Sequence, residues 1–435
     1  MERETWVSRD GFILAAIGSA VGLGNIWRFP WLTADNGGSA FLVAYLVAIF
    51  VVGIPGLMVS FVIGRRSKRN PVGAFRTLAG GTHWNILGGL CLVTSLVLLS
   101  FYTVVGGWVV RYVLESITGG YFHDPASHFS AIAFGMPAFF FQLVFLFITG
   151  AIVTVGVQRG IESTTRLLTP AIVVFLGGLA IWTWIRAPAS PGYDFYLGFD
   201  GTYFTQNYLS VIGAASGQAL FSLSIGSGTM ITYASYLGED RSLLADGSII
   251  AIVNLGIGLL AGLVVFPLLF TVVGEPTGGG PGALFVSLAG AFGTLPGGRI
   301  IGVAFYLTVF FAALSSAISI LEMPVAYFVD EHGLSRPTAT AVLTALLVVT
   351  GGVNAFNESL FDFVAGPLVS QLLTLGLLGF MLYAAWVLGD ESTAEFKAGA
   401  GPLSDLVATP WRLIVGTLLP LFLLLSILST LASMV

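Results

Sequence analysis

Charge is scarce in this sequence. Only 9% of its 435 residues are Asp, Glu, Lys or Arg, where a soluble globular chain carries about one quarter, so a soluble fold is excluded. The one cysteine, Cys91, sits inside an apolar run, which rules out a disulfide framework, a thiolate metal cluster and a CxxC redox pair. Four histidines, His83, His123, His128 and His332, fall in no metal-ligand spacing. There is no GxSxG, HExxH or GxxxxGKS/T element, so nothing marks the chain as an enzyme. Gly22-x-Gly24 follows no strand, which sets aside a dinucleotide loop. The net charge of −5 is spread over short loops with no basic patch, which excludes nucleic acid as a partner. Met1 to Asp10 carries mixed charge and leads into a glycine-rich apolar run, unlike a cleaved signal.

What remains is a lipid bilayer. Hydrophobic residues make up 56% of the chain, and a crossing takes about 20 of them. Eleven apolar runs are long enough, or nearly so: 12–34, 40–64, 86–117, 137–157, 167–186, 206–237, 247–274, 299–330, 338–353, 359–388 and 411–433. The expected fold is therefore an all-α integral membrane protein with eleven transmembrane helices. Arg3, Arg9, Arg65, Arg66, Lys68, Arg69, Arg76, Arg159, Arg166, Arg241, Arg336, Lys397 and Arg412 fall on one side. The loops of the other side (118–136, 187–205, 275–298, 351–358) hold no basic residue, with Arg111, Arg186 and Arg299 only at helix ends. The positive-inside rule then places the N-terminus in the cytoplasm and, for an odd number of spans, the C-terminus outside. Pro281 to Pro296 is too short to cross and reads as an extracellular helical cap.

Two runs are interrupted. The first contains Gly18-Ser-Ala-Val-Gly22-Leu-Gly24-Asn25 and the sixth Ser222-Leu-Ser-Ile-Gly226-Ser-Gly228-Thr229. If the first ten spans form two fives, both breaks occupy the same place in each half. Unwound stretches free amides and carbonyls that an ion or ligand must satisfy, so the pairing points to a transporter's central site. Gly18-x-x-x-Gly22 alone also reads as a helix-packing face. Free carbonyls with Asn25, Ser222, Ser315 and Ser316 make a hard-oxygen set suited to an alkali cation, although Ser315 and Ser316 can also bond back to their own helix. Arg28 and Asp362 stand toward the outer side, and Arg3 and Asp330 flank the inner ends of spans one and eight. Two ion pairs bracketing a midplane site would serve as gates.

The motifs Arg3-Glu-Thr-Trp6, Gly18-Ser-Ala-Val-Gly-Leu-Gly-Asn-Ile-Trp-Arg-Phe-Pro30, Asn36-Gly-Gly-Ser-Ala-Phe41, Gly53-Ile-Pro55, Asn70-Pro-Val-Gly-Ala-Phe75, Arg159-Gly-Ile-Glu162, Gly217-Gln-Ala-Leu-Phe-Ser-Leu-Ser-Ile-Gly226 and Ile231-Thr-Tyr-Ala-Ser-Tyr236 resemble the neurotransmitter:sodium symporter family. Its prokaryotic sodium-coupled amino-acid transporters are typified by the bacterial leucine transporter. The likeness runs from residue 3 to about 388. It implies a single membrane transport domain over 1–435, with an inverted five-plus-five helix repeat (1–186 for spans 1–5, 206–389 for spans 6–10), broken helices 1 and 6, and an additional span 11 over 411–433.

Carried over by motif position, the resemblance implies two sodium ions. One would be held by the carbonyl of Ala20 with Asn25, Ser222, Asn254 and the substrate carboxylate. The other would be held by the carbonyls of Gly18, Val21 and Ala312 with Ser315 and Ser316. The substrate carboxylate would meet the amides of Gly22, Leu23 and Gly24 and the hydroxyl of Tyr102; its amine would meet the carbonyls of Ala20, Phe221 and Ser222 and the hydroxyl of Ser316. Leu98, Tyr102, Phe221, Ser224, Ser227, Ser319 and Ile320 would wall the side chain. Tyr45, Gln218, Ser222 and Asn254 match a chloride site, so chloride is a second candidate cofactor beside sodium.

Departures from the family refine this. Ser222 stands where the leucine transporter has threonine and keeps the hydroxyl. Gly22 replaces the aspartate of monoamine carriers, so the ligand should bring its own carboxylate. Ser227 replaces a phenylalanine and leaves room for a large hydrophobic or aromatic side chain. Gly258 supplies neither the carboxylate of chloride-independent relatives nor the serine of chloride-dependent ones, and Ser60 leaves span two without an acid. Many relatives have a twelfth span; its absence bears on oligomer contacts rather than on transport. The expected function is a plasma-membrane symporter importing an α-amino acid with sodium by alternating access. Glu322, an acid within span eight, keeps open a proton-coupled or other-solute transporter of the same fold. A transport-inactive amino-acid sensor is the reading from another class.

Overall fold

A computed structural model describes residues 6–78, 83–186, 190–272, 282, 284–399 and 401–432. Among the described residues every regular element is helical. Arg9–Ala20 (α1) and Gly24–Asp35 (α2) together have the length and hydropathy of one crossing and are bent by 44° at their break. Ser39–Ser67 (α3), His83–Thr118 (α4), Met136–Val155 (α5) and Val157–Arg186 (α6) follow as crossings. Gly201–Ser222 (α7) and the short Thr229–Ala234 (α8) come next. Leu243–Phe270 (α9), Gly298–His332 (α10), Arg336–Phe356 (α11) and Glu358–Leu388 (α12) are again crossings. The helix Asp390–Lys397 (α13) then leads to the crossing Pro402–Leu428 (α14).

By length and composition, nine helices among the described residues can cross a bilayer, or ten with the bent pair. The expected eleven also includes the sixth run. Its helix α7 carries Thr202, Gln206, Asn207, Ser210, Ser216 and Gln218, and the break leaves α8 only 6 residues, so neither passes as an apolar span. The last span starts at Pro402 rather than at the expected 411, because the backbone stays helical through Asp405 and Pro410, where hydropathy falls. It is broken instead at Thr417, whose φ of −133° leaves the helical region. In the expected cap, a wide turn at Leu284–Leu288 and a helix at Ala289–Thr294 are present; Pro281 lies outside the described residues.

Local chemistry sets the two central breaks. Ser8 caps α1 by accepting from the Gly11 amide at 3.0 Å, and the helix runs until Val21, whose ψ of 90° turns its carbonyl off the helix axis. After Ser222, the chain needs left-handed backbone at Ser224 (φ 53°), Gly226 (φ 94°) and Gly228 (φ 85°). Glycine makes two of these cheap. At Gly226 nothing larger fits, because a Cβ would strike the Leu373 carbonyl. Packing brings the breaks to the middle of the bundle. The long α10 lies against α4 and α6, α1 packs on α6 and α10, and α7 and α8 pack on successive halves of α3.

Candidate functional site

Four oxygens converge between the two breaks and α9. Asn254 Oδ1 lies 3.1 Å from the Ala20 carbonyl, 3.2 Å from the Ser222 carbonyl and 3.3 Å from Asn25 Oδ1. Asn25 Nδ2 donates to both the carbonyl and the Oδ1 of Asn254 at 2.9 Å, which holds the two amides side by side. If the Asn254 amide turns over, its nitrogen can donate to the two carbonyls instead. Asn25 and Asn254 are both fully buried. Asn25, Asn254, Ala20 and Ser222, far apart in sequence, thus form one neutral cage suited to a dehydrated monovalent cation.

Beside the cage lies a cavity of about 20 Å³, lined by Ser19, Ala20, Gly22, Gly24, Leu98, Tyr102, Phe221, Ser224, Ser227, Ser316, Ile320 and Leu373. That is close to the room one water needs, so a larger ligand must part the walls. At one end the Leu23 amide donates to the Tyr102 hydroxyl at 3.2 Å. A Cβ on Gly22 would come within 2.9 Å of that hydroxyl and strike Ser316 Oγ, so a side chain here requires Ser316 and Tyr102 to shift. Ser316 Oγ donates to the Ser19 carbonyl at 2.9 Å and Ser224 Oγ to the same carbonyl at 3.0 Å. Three expected residues are not in the lining: Leu23 presents its amide to Tyr102, Ser222 belongs to the oxygen cage, and Ser319 bonds back to the Ser315 and Ser316 carbonyls at 3.2 and 2.8 Å.

The second expected cation set is gathered around α1 and α10. Ser316 Oγ reaches the Gly18 carbonyl at 3.4 Å, and Ser315 Oγ donates to the Ala312 carbonyl at 3.0 Å. A Cβ on Gly18 would sit 3.4 Å from that of Ser315, and Val21 is buried at the break. Of the chloride candidates, the Tyr45 hydroxyl meets Ser222 Oγ at 3.0 Å and Asn254 Nδ2 donates to Ser222 Oγ at 3.3 Å. Gln218 Nε2 donates to the Gly24 carbonyl at 2.6 Å and its Oε1 accepts from Arg28 at 3.2 Å. A Cβ on Gly258 would be 3.7 Å from Asn25 Nδ2, in ordinary contact.

Arg28 and Asp362 border one cavity of about 210 Å³, together with Trp27, Trp31, Phe101 and Phe221. They do not pair. Arg28 donates to Gln218 Oε1 at 3.2 Å and stands 4.8 Å from the Phe221 ring centre. Arg3 lies outside the described residues; Asp330 accepts from Asn70 Nδ2 at 3.2 Å. At that end of the bundle Trp6 donates to the Tyr233 carbonyl at 3.0 Å, Arg9 holds the buried Asp246 at 2.6 Å, and the Val7 amide donates to Glu162 at 3.0 Å.

A family model for the sodium:neurotransmitter symporter family matches residues 3–124 and 121–373. The chain belongs to the sodium:neurotransmitter symporter family. An uncharacterized sodium-dependent transporter of Haemophilus influenzae is 32% identical over 91% of this chain and 92% of its own. Another, from Methanocaldococcus jannaschii, is 31% identical over 97% of this chain and 89% of its own. The crystal structure of MhsT in complex with L-phenylalanine shares the fold: 35% identity, a TM-score of 0.88, and coverage of 99% of this chain and 100% of that one.

This symporter-family chain is accordingly a sodium-dependent membrane transporter and not an enzyme. Its sequence gave no hint of Ser19 or Leu373 as cavity walls: the first is one small residue in a glycine-rich motif, and the second lies in an unremarkable apolar span. It also gave no partner for Glu322. In the structure Glu322 accepts from Arg336 at 2.6 and 3.1 Å and from the Tyr236 hydroxyl at 2.9 Å. Arg336 opens the next helix, so a fold-back across the short turn after α10 was the available signal.

Proposed function

We propose that this protein is a plasma-membrane symporter that imports an α-amino acid with a large hydrophobic or aromatic side chain, driven by sodium through alternating access. The observation that carries the reading is the oxygen cage of Ala20, Asn25, Ser222 and Asn254 abutting the cavity at Gly22 and Tyr102. Sodium in that cage takes the carbonyls of Ala20 and Ser222 and the side-chain oxygens of Asn25 and Asn254 in place of its water and pins the breaks of α1/α2 and α7/α8 to α9. Those same breaks wall the cavity. The carboxylate of an amino acid meets the freed amides at Gly22, Leu23 and Gly24 and the Tyr102 hydroxyl, next to the cation, and its amine meets the carbonyls of Ala20, Phe221 and Ser222 at the other break. The bare Gly22 supports this, because no aspartate stands there to pair an amine ligand. The MhsT neighbour's bound L-phenylalanine supports an amino acid of this kind.

In this reading a second sodium sits among Gly18, Val21, Ala312, Ser315 and Ser316. The chain forms one transport domain of eleven spans, with repeats over 1–186 and 206–389 and an added last span that begins at Pro402, the N-terminus cytoplasmic and the C-terminus outside. Arg28 with Asp362, and Arg3 with Asp330, close the outer and inner paths in turn. Chloride at Tyr45, Gln218, Ser222 and Asn254 balances the cations. Glu322 cannot do so, since Arg336 and Tyr236 already occupy it. The test is uptake of labelled amino acids by proteoliposomes with and without an inward sodium gradient; gradient-independent uptake, or binding without uptake, contradicts the proposal.

A further inference from the structure

An acid and a base meet at the end of the bundle that the transport reading places outside. Glu115, in the last turn of α4, accepts from Arg111 Nε at 2.8 Å through one carboxylate oxygen and meets His128 Nε2 at 2.6 Å through the other. The side chains of His128 and Glu115 are only 19% and 22% exposed. His128 belongs to the short helix Pro125–Ile132. The next residue, Phe129, stacks on Phe285 of the cap turn Leu284–Leu288 with ring centres 5.5 Å apart. Trp108 Nε1, from α4, donates to the Ala133 carbonyl just after the short helix at 2.8 Å. The short helix therefore lies over the cap and is fastened to α4 at His128 and at Ala133.

Of these fastenings only the one at His128 changes with pH. Histidine ordinarily changes charge between pH 5 and 8. A neutral imidazole gives Glu115 one hydrogen bond, whereas a protonated one gives a charge-assisted pair about twice as strong. The other groups around it are Arg111 on the far oxygen of Glu115 and the rings of Tyr112 and Tyr121 at 5.9 and 6.3 Å. Tyr306, from α10, packs on both tyrosines. Arg299 stands at the turn after α4, 3.3 Å from where a Cβ on Gly119 would lie. Asp124 is occupied as the helix cap, accepting from the Ser127 amide at 3.1 Å. The cap residues 284–294 carry no titratable side chain. Aromatic rings connect this corner to the outer cavity. Trp108 meets Phe129, Phe285 and Phe361 at 5.2, 5.7 and 5.2 Å, and Phe361 meets Phe101 at 6.0 Å. Phe101 on α4 and Asp362 on α12 both border the cavity that holds Arg28. Widening that cavity between α4 and α12 pulls apart the seam across which Trp108 and Phe361 are packed.

We propose that His128 and Glu115 form a latch sensitive to external pH, which in acid holds the cap down over the outer path and slows transport. The inference rests on the transport reading above and adds a regulatory device to it. As external pH falls through the histidine range, the imidazolium–carboxylate pair strengthens the seating of the short helix on α4, with Phe285 clamped beneath Phe129. As pH rises the pair weakens to a neutral hydrogen bond and the cap lifts more readily. Arg111 stays on Glu115 in both conditions, so the effect is graded rather than all-or-none.

The test has two readouts on the full-length protein in proteoliposomes. The first is sodium-driven uptake of labelled phenylalanine with the interior held at about pH 7.5 and the exterior moved from about pH 7.5 to about pH 5.5. Uptake by the parent protein is expected to fall about fivefold, as the difference between a charged and a neutral hydrogen bond allows. In His128→Gln and Glu115→Gln, which keep a hydrogen bond but lose the titrating pair, most of that fall should disappear while uptake at the higher pH persists. The second readout is amide hydrogen exchange of residues 125–132 and 284–294, corrected for its intrinsic dependence on pH. Protection should rise in acid in the parent protein and stay level in His128→Gln. An uptake profile in His128→Gln that matches the parent, or exchange that acid leaves unchanged in the parent, overturns the latch while the transport reading stands. Acid-dependent protection without any change in uptake overturns its regulatory role. Absence of sodium-driven uptake of every amino acid tested overturns the transport reading instead, and the exchange measurement then decides the latch by itself.

Discussion

Asn25 shows how much a single residue carries here. Its side chain is buried, its Nδ2 donating to Asn254 Oδ1 at 2.9 Å and its own Oδ1 3.3 Å from that same atom, so removing it takes a ligand oxygen from the cage. Asn25→Ala should raise the sodium concentration for half-maximal uptake at least tenfold, a loss of about 1.4 kcal/mol; sodium titration of uptake measures it, and an unchanged midpoint refutes the site. At Gly22, where a Cβ would strike Ser316, the expectation concerns the ligand. Decarboxylated amines such as tyramine should fail to displace a bound amino acid, as competition binding would show. Gly258 has space beside Asn25. Replacing chloride by gluconate at constant sodium should depress uptake in the parent protein, and Gly258→Glu should abolish that sensitivity by supplying a fixed negative charge. At this scale the glycines, Asn25 and the serines of span eight were legible because they are polar or flexible groups in apolar runs. Ser19 was not, since nothing in a sequence tells a bonded hydroxyl from an unbonded one.

Among the elements, α1, α2, α7 and α8 were foreseeable from their glycines, and α10 with its serines from hydropathy. The contacts that lock the helices together were not. Arg65, at the end of α3, is fully buried. It donates to Glu395 Oε1 at 2.5 Å, to the Glu395 carbonyl, to the Ala398 carbonyl at 3.3 Å and to the Arg241 carbonyl at 2.5 Å. It thereby fastens α3 to α13 and to the segment after α8. In sequence Arg65 looks like one of five basic residues flanking a span and Glu395 like a solvated helix residue; 330 positions separate them. Leaving a buried charge without its partner costs about 3–5 kcal/mol. Glu395→Ala should therefore lower the thermal midpoint of the detergent-solubilised protein by several degrees, and Glu391→Ala, whose partner Arg66 is more exposed, by far less. Equal small shifts would contradict the clamp.

Across the whole molecule, composition alone identified a membrane protein, because a chain with so few charges has no other solvent. Span counting was less reliable at the sixth run, where the function requires polar residues that reduce hydropathy. At the end of the bundle that holds Trp6, Arg9 and Glu162, bonds join α1 and the residues before it to α6, α8 and α9. At the other end Arg28 and Asp362 face one cavity without touching. Arg28→Ala should accordingly spare sodium and amino-acid binding, yet reduce transport at least tenfold, as binding and uptake assays on the same preparation would separate. The central claim is that sodium in the cage and an amino acid in the adjoining cavity move together. Its most direct test is uptake of labelled tyrosine or phenylalanine into proteoliposomes under an imposed inward sodium gradient. The account predicts accumulation above the external concentration that collapses when the gradient is dissipated; accumulation that persists without sodium, or none in a gradient that the purified protein demonstrably experiences, would contradict it.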